Sequence, residues 1–142
     1  MNVKRLLESH KELDDRINLD LEELAQLRAL AENVTRHFTL TPGGKGGSSD
    51  KTGIYAAKIA DLERKIDREI DRLVEIKDYI KSVISSLENE AERLVLWRRY
   101  ILHMSAEEIA ERLCYSHRHV TRLLKSAISK LETIYADKED IA

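Results

Sequence analysis

The chain is poor in the residues that build compact β or disulfide-rich folds. Its 142 residues include one cysteine, one proline, one tryptophan and one phenylalanine, and aromatics make up 5%. Cys114 stands alone, so no intrachain disulfide can form, which fits a reducing cytosol. Few aromatics and a single proline beside 35% charged residues argue against a β-sandwich and for long helices. No apolar run approaches the roughly 18 residues needed to span a bilayer. The opening MNVKRLLESHKELDD carries charge where a signal peptide has its apolar core. Catalytic signatures are missing too: there is no Ser/His/Asp set, no zincin pattern and no glycine-rich strand–helix loop. The expectation is an all-α, cytoplasmic protein that is not an enzyme. A large net charge is also absent, at −2 for the whole chain. Its distribution is more informative. Residues 93–130 hold eight basic and three acidic side chains, a local +5 that leaves −7 for the rest. Such a local excess is the electrostatic footprint of a nucleic-acid-binding module.

What is present concentrates between Ser105 and Leu131, SAEEIAERLCYSHRHVTRLLKSAISKL. The stretch reads as two helices joined by a tight turn. Ser105 caps the first, and Glu108 three residues on completes a capping box. Ile109, Ala110 and Leu113 give that helix one apolar face. Ser116 caps the second helix, whose buried stripe is Val120, Leu123, Ala127, Ile128 and Leu131. The opposite face presents His117, Arg118, Thr121, Arg122, Lys125 and Ser129, with no carboxylate before Glu132. A merely solvated face usually mixes both signs. This face suits a DNA major groove, which admits one helix and is read mainly by that helix's first turns. Arg118 and Arg122, four apart, project from one side. A guanidinium fork on guanine O6 and N7 is worth about 1–3 kcal/mol of discrimination. Thr121 offers a donor or a methyl contact, Lys125 suits phosphate, and His117 suits a base or a phosphate. His119 reads as packing. Ser105, Ser116 and Arg99 complete the candidate DNA-binding set. Cys114, His117 and His119 invite a zinc reading, but they supply three ligands at most. His117 and His119 also point about 200° apart on a helix. No metal or cofactor is expected.

The span from about Leu87 to Leu131 resembles region four of bacterial sigma factors, through LVLWRRYI, SAEEIAERL, YSHRHVTRLL and AISKL. The chain as a whole resembles the RinA/ArpU-like group of small phage regulators of late genes. That likeness implies a phage or prophage protein acting in a bacterial host cell. It implies double-stranded DNA as partner, with bacterial RNA polymerase as a further one. Sigma-like modules usually place glycine where Cys114 stands, so Cys114 or Tyr115 must make the turn without that help.

Upstream, residues 3–34 form one long amphipathic helix. Val3, His10, Ile17, Leu24 and Ala31 fall on one heptad position, and Leu6, Leu13, Asp20, Leu27 and Val34 on the other. Leu7, Leu21 and Leu30 widen the apolar face and predict more than one buried seam. Residues 35–53, TRHFTLTPGGKGGSSDKTG, read as a flexible linker, its central loop at 36–53. GGKGGSS fails the Walker spacing because Gly46 follows Lys45. A second long helix spans residues 54–87. Its seams are Ile59, Ile66, Leu73, Ile80 and Leu87, and Tyr55, Leu62, Glu69, Ile76 and Val83. Folded back as an antiparallel, coiled-coil-like hairpin, position i meets about 89 − i. Asp20 then faces Glu69, and two buried carboxylates need a partner. Arg16, Arg68 or Arg72 is expected to reach in, or the layer faces water.

Residues 88–102 supply the first helix of the DNA module. Trp97 belongs in its core, and Arg93, Arg98 and Arg99 face phosphates or a polymerase. The expected domains are a hairpin at 1–86, a sigma region four-like helix-turn-helix domain at 87–135, and an acidic tail at 136–142. A second copy pairing through the hairpin would give a homodimer. Three rival readings are a polymerase-docking sigma-like module, a phage DNA-packaging (small terminase-like) recognition subunit, and a coiled-coil adaptor that never touches DNA. With no second sigma region to melt promoter DNA, a stand-alone sigma factor is not expected.

Overall fold

A computed structural model gives the backbone of residues 2–40 and 47–136, with side chains over 2–36 and 51–136. The described residues form five helices and no strand, so the all-α class holds. The helices are α1 (Val3–Leu40), α2 (Gly47–Ser85), α3 (Glu90–Tyr100), α4 (Ala106–Leu113) and α5 (His117–Ile134). No described helix is long and apolar enough to cross a membrane.

Both long helices outrun their expected ends, so the linker at 35–53 needs correcting. Residues 35–40 continue α1 and 47–53 open α2, while 41–46 lie outside the described residues. The physical reason is visible on α1. The Thr35 hydroxyl donates to the Ala31 carbonyl at 3.0 Å, and Arg36 pairs with Glu32 at 3.1 Å. The sequence places no proline or glycine before Pro42. On α2 the helix tolerates Gly53 at a cost of about 1 kcal/mol relative to alanine.

The chain divides into two compact units, Asp14–Arg72, and Met1–Leu13 with Leu73–Ala142. This is not the expected split near residue 86. The end segments of the two long helices belong with α3–α5, because Val3, Leu7, Ile80, Val83, Ile84 and Leu87 are buried in one cluster with Leu96, Ile101, Ala127 and Leu131.

Within Asp14–Arg72 the two helical stretches run antiparallel. Leu24, Leu62 and Ile66 make the core, with Leu27 and Ile59 beside them. Arg28 reaches Glu63 at 3.2 Å. Leu21 and Leu30 do not add a second seam; they are exposed, as are Leu19, Ile54 and Ile70. Two helices bury only the stripe facing each other, and a flank residue stays wet unless a third element covers it.

The polar layer forms, with a different cation from those expected. Asp20 is buried, and Lys65 Nζ lies 3.3 Å from its Oδ2 and donates to its Oδ1 at 3.4 Å. Arg16 acts on the layer only through its charge. Both Glu69 carboxyl oxygens are buried without a donor, so Glu69 gains by keeping its proton and sharing it with Asp20. Burial first, and then the neighbouring Asp20, push the Glu69 carboxyl above the ordinary glutamate range. The hydrogen bond with Glu69, followed by Lys65, holds Asp20 below its own.

Candidate nucleic-acid interface

Helices α3, α4 and α5 pack on one another around Val95, Ile109, Ala110 and Val120, with Leu113, Tyr115 and Leu123 at the margin. The buried residues of α5 are Val120, Ala127 and Leu131. At 100° per residue, Arg118, Arg122 and Lys125 lie about 180° from that stripe, and all three are exposed. No ion pair engages any of them among the described residues.

Local chemistry fixes both ends of the turn. The Ser105 hydroxyl accepts from the Glu108 N–H at 3.1 Å, and Glu108 Oε1 accepts from the Ser105 N–H at 3.4 Å, closing the capping box. α4 ends at Cys114, which takes the left-handed conformation at φ 57° and ψ 37°. Cys114 is thus the residue that stands in for glycine. The Tyr115 N–H returns to the Ala110 carbonyl at 2.9 Å, a Schellman closure. Ser116 then caps α5 by accepting from the His119 N–H at 3.1 Å. Left-handed backbone costs a side-chain-bearing residue about 1–2 kcal/mol. Cys114→Gly is therefore expected to raise stability by about 1 kcal/mol. A higher urea midpoint at unchanged slope checks this, and an unchanged midpoint contradicts it.

The other candidates are more committed than the sequence implied. Arg99 Nη1 donates to the Met104 carbonyl at 3.3 Å, and its guanidinium lies 5.8 Å from the Tyr100 ring. It braces the α3–α4 link, where His103 also has a positive φ of 57°. Thr121 has spent its hydroxyl proton on the His117 carbonyl at 3.0 Å, leaving lone pairs and a methyl for a ligand. His117 Nε2 lies 3.2 Å from Glu107 Oε1. A hydrogen bond from its own backbone N–H holds the Glu107 carboxyl below the usual range, with His117 adding to the effect. The Tyr115 and His119 rings meet edge-on at 4.9 Å, so His119 packs within the turn.

Two more of the counted cations are diverted. Arg93 Nη1 donates to the Leu87 and Glu88 carbonyls and closes the α2–α3 turn. Lys130 Nζ donates to Glu92 Oε1 at 2.7 Å, and Ser126 Oγ donates to the same oxygen at 3.2 Å. Sequence reasoning passed over Glu92, which lies one residue outside the span counted as basic. An acidic side chain in the first turn of a helix ordinarily reads as a dipole partner. Its burial follows from α5 crossing α3, and only the 34- and 38-residue separations reveal that. Among the described residues no group of three or more His, Cys, Asp or Glu could hold a metal ion.

A family model described as "Protein of unknown function (DUF1492)" matches residues 39–132, about two thirds of the chain. Two relatives, both named RNA polymerase sigma factor SigF, come from Mycobacterium tuberculosis strains CDC 1551 / Oshkosh and ATCC 25618 / H37Rv. Each is 28% identical over 123 residues, covering 87% of this chain and 44% of the relative. The chain thus spans less than half the length of these relatives. No solved structure matches significantly.

Proposed function

We propose that this chain, which belongs to the DUF1492 family, is a sequence-specific DNA-binding transcriptional regulator whose α5 enters the major groove. The observation that carries the reading is the exposure of Arg118, Arg122 and Lys125 on one face while Val120, Ala127 and Leu131 anchor the other. The sigma factor likeness supports the same reading. In it, α4, the Cys114 turn and α5 form a helix-turn-helix. Arg118 and Arg122 address base edges, and Lys125 addresses phosphate, in a non-enzymatic, cytoplasmic protein. The resemblance to RinA/ArpU-like regulators supports activation of phage late genes as the biological role.

The protein acts as a homodimer joined through its hairpin. Leu19, Leu21, Leu30, Ile54 and Ile70, all exposed within Asp14–Arg72, supply apolar surface for a second copy. Two copies would read half-sites about 34 Å apart, or a multiple of that. Docking to RNA polymerase is a second reading. It is favoured by exposed Leu94 on α3 and Leu102 in the α3–α4 link, apolar surface that DNA does not need.

Two substitutions test the DNA reading. Arg122→Ala is expected to relax base preference at one position of a selected site, by about 1–3 kcal/mol. Lys125→Ala is expected to weaken binding to all sequences alike and to lower the salt slope by about one. Unchanged affinity in both variants overturns the assignment of the reading face.

A further inference from the structure

The Glu107–His117 contact is the feature of this face that sequence did not foresee. It joins the first turn of α4 to the first residue of α5. The imidazole Nε2 and the carboxylate Oε1 are 3.2 Å apart, and both side chains remain more than half exposed. The carboxylate keeps its charge, since the backbone N–H beside it favours the ionised form. An ionised carboxylate only accepts hydrogen bonds. The nitrogen facing it must therefore carry a proton, and in the neutral imidazole that leaves the other ring nitrogen as the acceptor.

We infer that Glu107 is a positioning residue for base recognition, holding His117 as the Nε2–H tautomer so that Nδ1 is left as a hydrogen-bond acceptor for an exocyclic amine, N6 of adenine or N4 of cytosine. This rests on the DNA-binding reading of α5. In the major groove those two amines are the base-edge donors, whereas guanine and thymine offer acceptors at O6, N7 and O4. A ring that swung free could present either nitrogen and would discriminate poorly. Arg118 and Arg122 donate only, so His117 would supply the acceptor that this face otherwise draws from Thr121.

The test uses the full chain at pH 8, above the ordinary imidazole range. Nitrogen-15 NMR of the free protein reads the His117 tautomer directly. The expected result is Nε2–H with bare Nδ1 in the wild type, and a tautomer mixture in Glu107→Gln. Affinities for a selected duplex and its single-base variants read the consequence. Glu107→Gln and His117→Ala should each lose about 3- to 10-fold of discrimination at the same single A- or C-bearing position. That position should differ from the one affected by Arg122→Ala. A Nδ1–H tautomer in the wild type overturns the inference. So does undiminished discrimination in Glu107→Gln, and in both cases DNA binding stands. If the wild type itself binds no duplex, the reading of α5 falls, and the inference falls with it.

Discussion

Lys130→Ala is expected to destabilise the protein by about 3 kcal/mol, and by clearly more than Glu92→Gln. The asymmetry follows from where the two ends of the pair sit. The Glu92 side chain is 3% exposed and that of Lys130 is 53% exposed. Removing the lysine strands a buried carboxylate on the Ser126 hydroxyl alone, with Oε2 already lacking a partner. Removing the charge on Glu92 returns the lysine to water, and the amide can still accept from Ser126. That change is expected to cost about 1 kcal/mol. Urea unfolding followed by Trp97 fluorescence reads both, because this sole tryptophan packs against the cluster that α5 completes. Equal costs, or the reverse order, would show that the pair does not tie α3 to α5.

The second large effect is a gain. Replacing Asp20 and Glu69 together by leucine is expected to stabilise the hairpin by about 1–4 kcal/mol, as apolar packing replaces a desolvated polar layer. It should also remove a pH dependence whose sign is fixed by the two shifts. The Glu69 carboxyl is raised, so its contribution is whole below the ordinary glutamate value and is lost as pH rises through the raised one. Asp20 is lowered, so its contribution is present above the ordinary aspartate value and is lost as pH falls through the lowered one. The pair titrates as a unit and contributes most within the ordinary carboxylate range, above the ordinary aspartate value and below the ordinary glutamate one, and less as pH rises towards the raised Glu69 value. Thermal unfolding across a pH series, taken as wild type minus double variant, should pass through a maximum in that window. A difference that only grows towards neutral pH contradicts proton sharing between Asp20 and Glu69.

Local chemistry was legible in the sequence, and side-chain reach across helices was not. The capping box at Ser105 and Glu108, the cap at Ser116 and the buried stripe of α5 depend on neighbours within four residues, and each reads from spacing alone. The layer joining Asp20 to Glu69 also reads from spacing, because a heptad register fixes which positions oppose. The cation completing that layer does not. Arg16, Arg68 and Arg72 lie equally near in sequence, yet Lys65 on the facing helix makes the contact. By spacing alone Lys65 would pair along its own helix, with Asp61 or Glu69 four residues away. Asp61 instead pairs with Arg64. Likewise Lys130 counted as free positive charge until the packing of α5 on α3 brought it to Glu92. The glycine-rich stretch misled because composition marks where a helix can end, while the helices continue to the edge of residues 41–46.

The most direct trial of the central claim is selection by the full chain, at low salt, from a pool of random duplexes, with sequencing of the bound fraction. The bound pool should converge on one motif, and its affinity should fall steeply as salt is raised. A bound fraction no richer in any sequence than the input, or no retention of duplex at low salt, would contradict a base-reading role for the face carrying Arg118 and Arg122.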